Sequence, residues 1–514
     1  MSERLLKSTA TVGGMTLISR VLGFVRDVVI AHAFGAGLGA DAFFVAFRIP
    51  NFFRRLFAEG AFSQAFVPIL SEYRTHRTPE QVRTFVGHVS GTLGAVLTVV
   101  TVAGIIASPL IIMAFAPGYI GQGDKYALSV DLLRLTFPYL FFISLTALAG
   151  GILNTYGRFG VPAFTPVMLN ISMIAATLWL APHMRQPVMA LAWGVFAAGI
   201  IQLLFQLPYL ARLGMLTWPR ISRRDEGVRR IIRLMTPALF GTSVVQINLL
   251  FDTLIASFLV TGSISWLYYS DRLVEFPLGV FGAALATVIL PTLSRNHAQG
   301  SVETYTGNLD WGLRWVLIVS APAMVGLLIL AGPLLATLFQ YGEFNPRDVA
   351  MAARSLMAFA VGLPAYIYIK VLASAFYARQ DTRTPVRVGV IAMLANMGLN
   401  IALVFPLAHA GLALATALSA YLNAGLLYLH LVRKTGFRPR PGWSALVTKI
   451  ATANALMAAT LLVGGTDLAQ WLHWHLTVRV MHLSLWVIAG AAVYLLALWI
   501  MGIQLFRMHP AGRE

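Results

Sequence analysis

The chain has 514 residues, 58% hydrophobic and 11% charged, against about 25% charged in soluble proteins, so a water-soluble globule is excluded and a polytopic membrane protein is expected. The net charge of +18 comes from 38 Lys and Arg against 20 Asp and Glu. In a soluble protein it would suggest nucleic acid, but here most of the excess flanks apolar segments. With no cysteine, disulfides, thiolate zinc sites and cysteine nucleophiles are excluded.

Apolar stretches punctuated by Pro, Gly and charge predict helices at 8–34, 41–70, 84–115, 128–153, 161–181, 188–211, 232–260, 264–293, 311–340, 348–378, 385–406, 411–432, 443–464 and 480–506. Most approach or exceed the roughly 20 residues that a span requires. Arg4 and Lys7 ahead of an apolar stretch mimic a signal peptide, but Arg20, Arg26 and Asp27 interrupt it, so a retained first helix is expected. No connection is long enough for an extramembrane domain. Pro50 is expected to kink the second helix, and Gly13, Gly14, Gly23, Gly87 and Gly91 to let helices pack closely.

The basic residues between helices set the orientation. A cytoplasmic N-terminus puts about two dozen Lys and Arg on that side, including the run Arg212 to Arg233, and leaves Lys125, Arg185, Arg347 and Arg479 opposite. Both termini are therefore expected in the cytoplasm.

The chain also repeats with a period of about 220 residues. Phe66-Val67-Pro68-Ile69-Leu70-Ser71 returns as Ile289-Leu290-Pro291-Thr292-Leu293-Ser294, Tyr156-Gly157-Arg158 as Tyr377-Ala378-Arg379, and Arg134 as Arg354. Six spans per unit, an even number, give both units the same orientation, the parallel-repeat transporter plan. The expected fold is thus all-α, with 14 transmembrane helices. Two six-helix lobes occupy 1–220 and 221–435, and helices 13 and 14 occupy 436–514.

Charges inside spans point to function, because each costs roughly 2.5–3.5 kcal/mol at mid-bilayer. Helix 1 carries Ser19, Arg20, Arg26 and Asp27; helix 2 carries Asp41, Arg48, Asn51, Arg54, Arg55 and Glu59. Helix 8 carries Asp271, Arg272 and Glu275, and helix 10 carries Arg354 and Lys370. Arg20 and Asp27 share a helical face, as do Arg48 and Arg55, Asn51 and Arg55, and Asp271 and Glu275. Basic groups near helix ends can instead snorkel to headgroups, the reading preferred for Arg134 and Arg314, and ion pairs can serve only to hold helices together. The favoured reading is a net-positive, water-filled cavity whose guanidiniums bind an anion, above all a phosphate or diphosphate. Asp252, Asn396, Asn400 and Thr416 could supply oxygens to sodium, with interhelical hydrogen bonding the simpler alternative. His473, His475 and His482 read as interfacial packing in preference to a metal site.

Two segments carry a family resemblance. They are Ser19-Arg20-Val21-Leu22-Gly23-Phe24-Val25-Arg26-Asp27 and Asp41-Ala42-Phe43-Phe44-Val45-Ala46-Phe47-Arg48-Ile49-Pro50-Asn51, the latter running on through Arg54-Arg55-Leu56-Phe57-Ala58-Glu59-Gly60-Ala61-Phe62-Ser63. With Tyr268-Tyr269-Ser270-Asp271-Arg272-Leu273-Val274-Glu275-Phe276-Pro277 and Phe376-Tyr377-Ala378-Arg379-Gln380-Asp381, they closely resemble the MurJ/MviN family. The resemblance covers essentially the whole chain, helices 13 and 14 mainly by position and character.

It implies a lipid II flippase of the multidrug/oligosaccharidyl-lipid/polysaccharide exporter superfamily. Such a protein is not an enzyme. It moves an undecaprenyl-diphosphate-linked peptidoglycan precursor across the bacterial inner membrane by alternating access, with the last two helices forming a lipid-tail groove. The resemblance assigns the diphosphate to Arg20, Arg26, Arg54 and Arg272, oriented by Asp27 and Asp271. It links Asp41, Asn51, Arg55, Ser265 and Glu275 to function, and pairs Glu59 with Arg354 at the periplasmic side. Some members carry sodium at positions matching Asp252 and Thr416, but Asn400 stands where such sites have a carboxylate. No cofactor is expected beyond a sodium ion or the membrane potential as coupling source. Lipid II and membrane lipids are the expected partners, with no nucleic acid, cell-wall synthesis proteins as candidates, and the chain a monomer. The alternatives are an exporter of another lipid-linked glycan or anionic small molecule, a membrane enzyme acting on polyprenyl phosphates, or a scaffold recruiting partners through Arg212–Arg233.

Overall fold

The computed structural model describes residues 3–55, 62–222, 224–464 and 467–503, and every regular element among them is helical. They divide into two compact units, Met1–Ile264 and Ser265–Glu514. The first unit holds α1 (Glu3–Phe34), α2 (Leu38–Phe53), α3 (Ser63–His76), α4 (Pro79–Ile106), α5 (Ser108–Phe115), α6 (Gly123–Thr136), α7 (Tyr139–Thr155), α8 (Gly160–Ala175), α9 (Met189–Arg212) and α10 (Glu226–Ala256). Then come α11 (Ser263–Pro277), α12 (Ala283–Ala298), α13 (Val302–Ile329), α14 (Ala331–Phe339), α15 (Pro346–Val361), α16 (Leu363–Ala378), α17 (Arg383–Thr435), α18 (Trp443–Val463), α19 (Leu468–His473) and α20 (Leu476–Ile500). The expected lobe boundary at 220/221 precedes α10. That helix packs on α3, α4 and α5, which gives it to the first compact unit.

Observed helices start several residues before the apolar stretches because polar caps begin them. Thr78 and Gln81 form a reciprocal capping box ahead of Pro79, Asn345 and Asp348 do the same ahead of Pro346, and Asp225 caps α10. Such caps satisfy the amides that a helix start leaves unbonded.

Among the described residues, ten stretches of helix have the length and apolarity to cross a membrane. One of them, α17, has 53 residues, or about 80 Å if straight, far beyond a hydrocarbon core of about 30 Å. It is bent back at Ala408, where φ is 48° and ψ −129°. Asn396 donates to Ser419 at 3.3 Å, a bond that only a hairpin permits. The two arms correspond to the expected spans 385–406 and 411–432. The charged or partly described α1, α2–α3 and α10 stand at the other expected positions.

The same interruptions recur in both units. α4 gives way to α5 at Ala107, and α13 to α14 at Leu330. Likewise α6 and α7 meet at Pro138, and α15 and α16 at Gly362. A π-helical turn holds Arg54 and Arg55, and another runs from Leu278 to Gly282. The internal repeat is thus carried by helix breaks as well as by motifs.

In the first unit α7 packs on α9, α1 on α8 and α2 on α6, and Phe66, Phe85, Leu148 and Leu153 belong to one core cluster. In the second, α16 packs on α12, α13 and α17. The two C-terminal spans α18 and α20 join α13 and α14 through Ile318, Leu330, Ile450, Leu461 and Leu498. Val99, Leu110 and Phe405 are exposed on the outside, as a lipid-facing surface requires.

Several small-scale expectations change. Gly13 and Gly14 have open space around them rather than a neighbouring helix. Gly87 and Gly91 face an extended strap instead. Arg220 donates its N–H to the Gly87 carbonyl at 2.9 Å, and a Cβ on Gly91 would lie 2.4 Å from the Arg220 nitrogen. Arg314, read above as snorkelling to headgroups, has partners within the protein. It bonds Asp310 at 2.7 Å and the carbonyls of Arg440 and Pro441 at 3.1 and 2.9 Å, tying α13 to the start of α18. One expectation is unchanged: His482 packs, stacking on Trp474 with ring centroids 4.5 Å apart.

The hairpin yields two predictions. A Cβ on Gly411 would meet the Leu403 carbonyl oxygen at 2.2 Å, so Gly411→Ala is expected to cost about 1–3 kcal/mol as an overpacked site does. Ala408→Gly, which relieves a left-handed alanine, should be neutral or stabilising; thermal melting of both variants in detergent checks the pair. At the feet of the hairpin, Asp381 accepts from the Thr384 N–H at 3.0 Å, the Thr384 hydroxyl at 2.6 Å and Lys434 Nζ at 2.9 Å. Those hydrogen bonds, Thr384 first and then Lys434, hold its carboxyl below the usual carboxylate range. A depressed carboxylate stabilises in full above its ordinary pKa and loses that contribution as pH falls toward the folded value. The melting-temperature lead of wild type over Asp381→Asn at pH 7 should therefore shrink below about pH 4.

Candidate functional site

The intramembrane charges of the first unit are organised by helix packing. α1 lies against α8, which brings Asn170 to Arg26 across 144 residues of sequence. Arg26 is 6% exposed and Asp27 1%. Nε and Nη2 of Arg26 donate to Asp27 Oδ1 at 3.0 and 2.6 Å, and Nη1 donates to Asn170 Oδ1 at 3.1 Å. Asn170 in turn donates to the Ser19 carbonyl at 3.0 Å. Arg20, by contrast, is exposed. Seven-residue spacing gives Arg20 and Asp27 a common direction, but what covers that face changes with depth along the helix.

On α2 and its continuation, Arg54 donates to Asn51 Oδ1 at 3.0 Å, and Asn51 donates to the Phe47 carbonyl at 3.2 Å. Arg55 is exposed. Both arginines sit in the π-helical turn, a feature that often marks functional positions. Arg48 reaches α10 and donates to the Thr253 hydroxyl at 2.5 Å. Pro50 is accommodated inside α2. Glu59 lies outside the described residues.

Asp41 has a partner that the sequence did not suggest. Lys125, expected in a loop, is 1% exposed, and its Nζ donates to Asp41 Oδ2 at 3.0 Å. Arg479, also expected in a loop, is 5% exposed and donates to the carbonyls of Ala336 and Leu472 at 2.7 and 2.9 Å. Both are corrections with one physical cause. Each lies at the polar start of a span, where an apolar plot places loop, yet each has an acceptor within the fold. Arg185 and Arg347 remain exposed.

In the second unit Arg272 is held by Glu275, Nη1 to Oε2 at 2.6 Å, and donates through Nη2 to the Tyr268 hydroxyl at 3.2 Å. Its guanidinium also lies 5.0 Å from the Tyr268 ring centroid, within cation–π range. Asp271 and Glu275 are exposed on the same helix, and Ser265 is fully buried. Arg354 is exposed, and Lys370 is half-buried on α16.

Of the four sodium candidates, three come together in α17. Asn400 donates to Asn396 Oδ1 at 2.9 Å, and Asn396 donates to the hydroxyls of Thr416 and Ser419 at 3.5 and 3.3 Å. Asp252 belongs to the first unit. Asn396 Oδ1 and Thr416 Oγ1 thus each accept a hydrogen bond across or along the two arms, the interhelical bonding weighed above beside sodium.

Comparison with known proteins decides the family. The family model described as lipid II flippase MurJ matches residues 30–482. The probable lipid II flippase MurJ of Vibrio cholerae is 50% identical over 99% of both chains. The lipid II flippase MurJ of Burkholderia cenocepacia is 42% identical over 97% of this chain and 98% of its own. The chain belongs to the MurJ lipid II flippase family. A solved structure titled lipid II flippase MurJ, inward closed conformation, is similar with a TM-score of 0.81 at 27% identity, covering 96% of this chain and 99% of that one. An inward-facing multidrug MATE transporter of the MOP superfamily shares the fold at a TM-score of 0.66 and 14% identity, over 85% of this chain and 99% of its own.

For this member of the family, the partnerships that reading the sequence missed are those of Asn170 with Arg26, Tyr268 with Arg272 and Lys125 with Asp41. Asn170 had one available signal, a lone amide in an otherwise apolar span. Asn170→Leu removes the hydrogen bond to Arg26 Nη1 at the α1–α8 contact, so a loss of about 1–3 kcal/mol is expected. Chemical-denaturant or thermal unfolding in detergent would show it, and an unchanged midpoint would contradict the assigned bond.

Proposed function

We propose that this chain carries lipid II from the inner to the outer leaflet of the bacterial cytoplasmic membrane by alternating access, supplying peptidoglycan synthesis. The observation that carries the reading is the set of pre-oriented guanidiniums in an otherwise apolar helical protein of this family. Arg26 is fixed by Asp27 and Asn170, and Arg272 by Glu275 and Tyr268.

We assign Arg20, Arg26, Arg54, Arg55 and Arg272 to the diphosphate, with Asp27 and Asp271 as orienting carboxylates. A planar guanidinium presents paired N–H donors that match phosphate oxygens. Fixing it beforehand lowers the entropy lost when the headgroup binds. Cargo shifts the protein between its two access states only as far as it binds one better than the other. We assign Glu59 and Arg354 to control of access on the outer side, and Ser19, Asp41, Asn51, Ser265, Glu275 and Lys370 to support of the binding groups.

With Lys125 and Arg479 buried, exposed Arg185 and Arg347 remain of the four basic residues opposite the arginine-rich loops. That supports both termini in the cytoplasm. Movement of net positive segments in the membrane field, at about 2.3 kcal/mol per charge per 100 mV, is the coupling we favour over sodium.

In cells depleted of their own flippase, wild type is expected to restore outer-leaflet lipid II, detected with a membrane-impermeant probe. At matched expression Arg26→Ala and Arg272→Ala should each lower it roughly 10- to 100-fold, the weight of a charge-assisted hydrogen bond. Full transport by Arg26→Ala would sink its role. Inserted wild type that restores nothing would move the cargo to another lipid-linked glycan.

A further inference from the structure

Among the described residues of the span formed by α6 and α7, 123–155, those exposed are Gly123, Asp124, Ala127, Asp131, Arg134 and Asn154. All are small or polar. A helix in contact with lipid exposes large apolar side chains, as α4 does at Val99 and Ile106, 69% and 73% exposed. The rest of α6 is covered by α2, α4, α5 and α9, and Leu132 and Leu133 are buried beneath them. What stays uncovered is a stripe at helical spacing, Ala127, Asp131 and Arg134.

Two charges on such a stripe face water inside the protein, because ionised groups within spans are held against lipid only at high cost. A snorkelling arginine lays its stem along a lipid-facing surface, which this span lacks, so that reading of Arg134 gives way. Arg134 lies about 17 Å along α6 from Gly123. The side chains of Arg134 and Asp131 are 50% and 57% exposed, and Arg134 Nη1 donates to Asp131 Oδ1 at 3.4 Å. Among the described residues this is the one polar contact Arg134 makes. Arg26, by contrast, uses three nitrogens on Asp27 and Asn170. Most of the five N–H donors of Arg134 therefore remain open to a ligand. The carboxylate orients the guanidinium without covering it, and an open guanidinium fork matches a pair of phosphate oxygens.

We propose that Arg134 is a further contact for the cargo's diphosphate, on the water-facing stripe of α6 and in addition to the arginines named above. Asp131 is its positioning residue and acts through it. The inference rests on the lipid II reading.

Equilibrium binding of undecaprenyl diphosphate and of lipid II to the full chain in nanodiscs tests the assignment. Arg134→Gln should weaken both ligands roughly 10- to 100-fold, the weight of a charge-assisted hydrogen bond. Arg134→Lys should weaken them less, since it keeps the charge but not the fork. Asp131→Asn should weaken both severalfold in the wild-type background and change nothing in Arg134→Gln. Melting temperatures should not move, because an exposed ion pair adds little stability. Unchanged binding of both ligands by Arg134→Gln would overturn the proposal. So would a loss confined to lipid II, which would place Arg134 on the glycan or peptide. An equal loss from Asp131→Asn in both backgrounds would remove its positioning role. Because the chain has no cysteine, the wet stripe can also be read without cargo. Arg134→Cys should react with a charged, membrane-impermeant methanethiosulfonate and Val99→Cys should not; an inert Arg134→Cys would overturn the proposal. Wild type that binds neither lipid would remove the lipid II reading and this contact with it. Wild type that binds both, beside an unaffected Arg134→Gln, would remove the contact alone.

Discussion

An ionised side chain loses its water when it enters an apolar helix bundle, and everything distinctive in this chain follows from how that loss is met. Arg26 lies on Asp27 and Asn170, Arg272 on Glu275 and Tyr268, and Lys125 on Asp41 and Thr261. Each charge is thereby tied to neighbours that restrict its direction. A residue introduced to bind an anion thus becomes a constraint on helix packing, and a residue introduced for packing becomes a fixed electrostatic source. The two jobs cannot be separated by looking at one side chain alone.

The backbone answers a parallel demand. Where helices are interrupted inside a span, carbonyls and amides lose their partners, which a bilayer does not replace. The interruptions at Pro138 and Gly362 are followed directly by new helices, α7 and α16, so few groups are left over. The strap at Arg220 bonds the Gly87 carbonyl, and Gly91 leaves room for its backbone. These sites use small residues where another chain must come within bonding distance.

Much of this was legible beforehand. Apolar run length located the helices to within several residues, and the hairpin break was expected between 406 and 411. The basic and acidic residues of α1, α2 and α11 stood out because charge is rare in such stretches. What escaped was partnership. Lys125 and Arg479 occupy polar span ends, where hydropathy sees a loop, and Asp41 and Ala336, which accept from them, are 84 and 143 residues away in sequence. Asn170 is an uncharged amide, and nothing in its local sequence says that Arg26 will face it. Glycine pairs were ambiguous for the same reason, since spacing shows that a close approach is possible without naming what approaches.

The matching helix breaks, at Ala107 and Leu330 and at Pro138 and Gly362, give the two halves of the chain one backbone plan. Their charges do not match, with Arg20, Arg26, Arg54 and Arg55 early in the sequence and Arg272 later. One backbone plan thus carries two unequal charge patterns, which a pair of identical chains could not do.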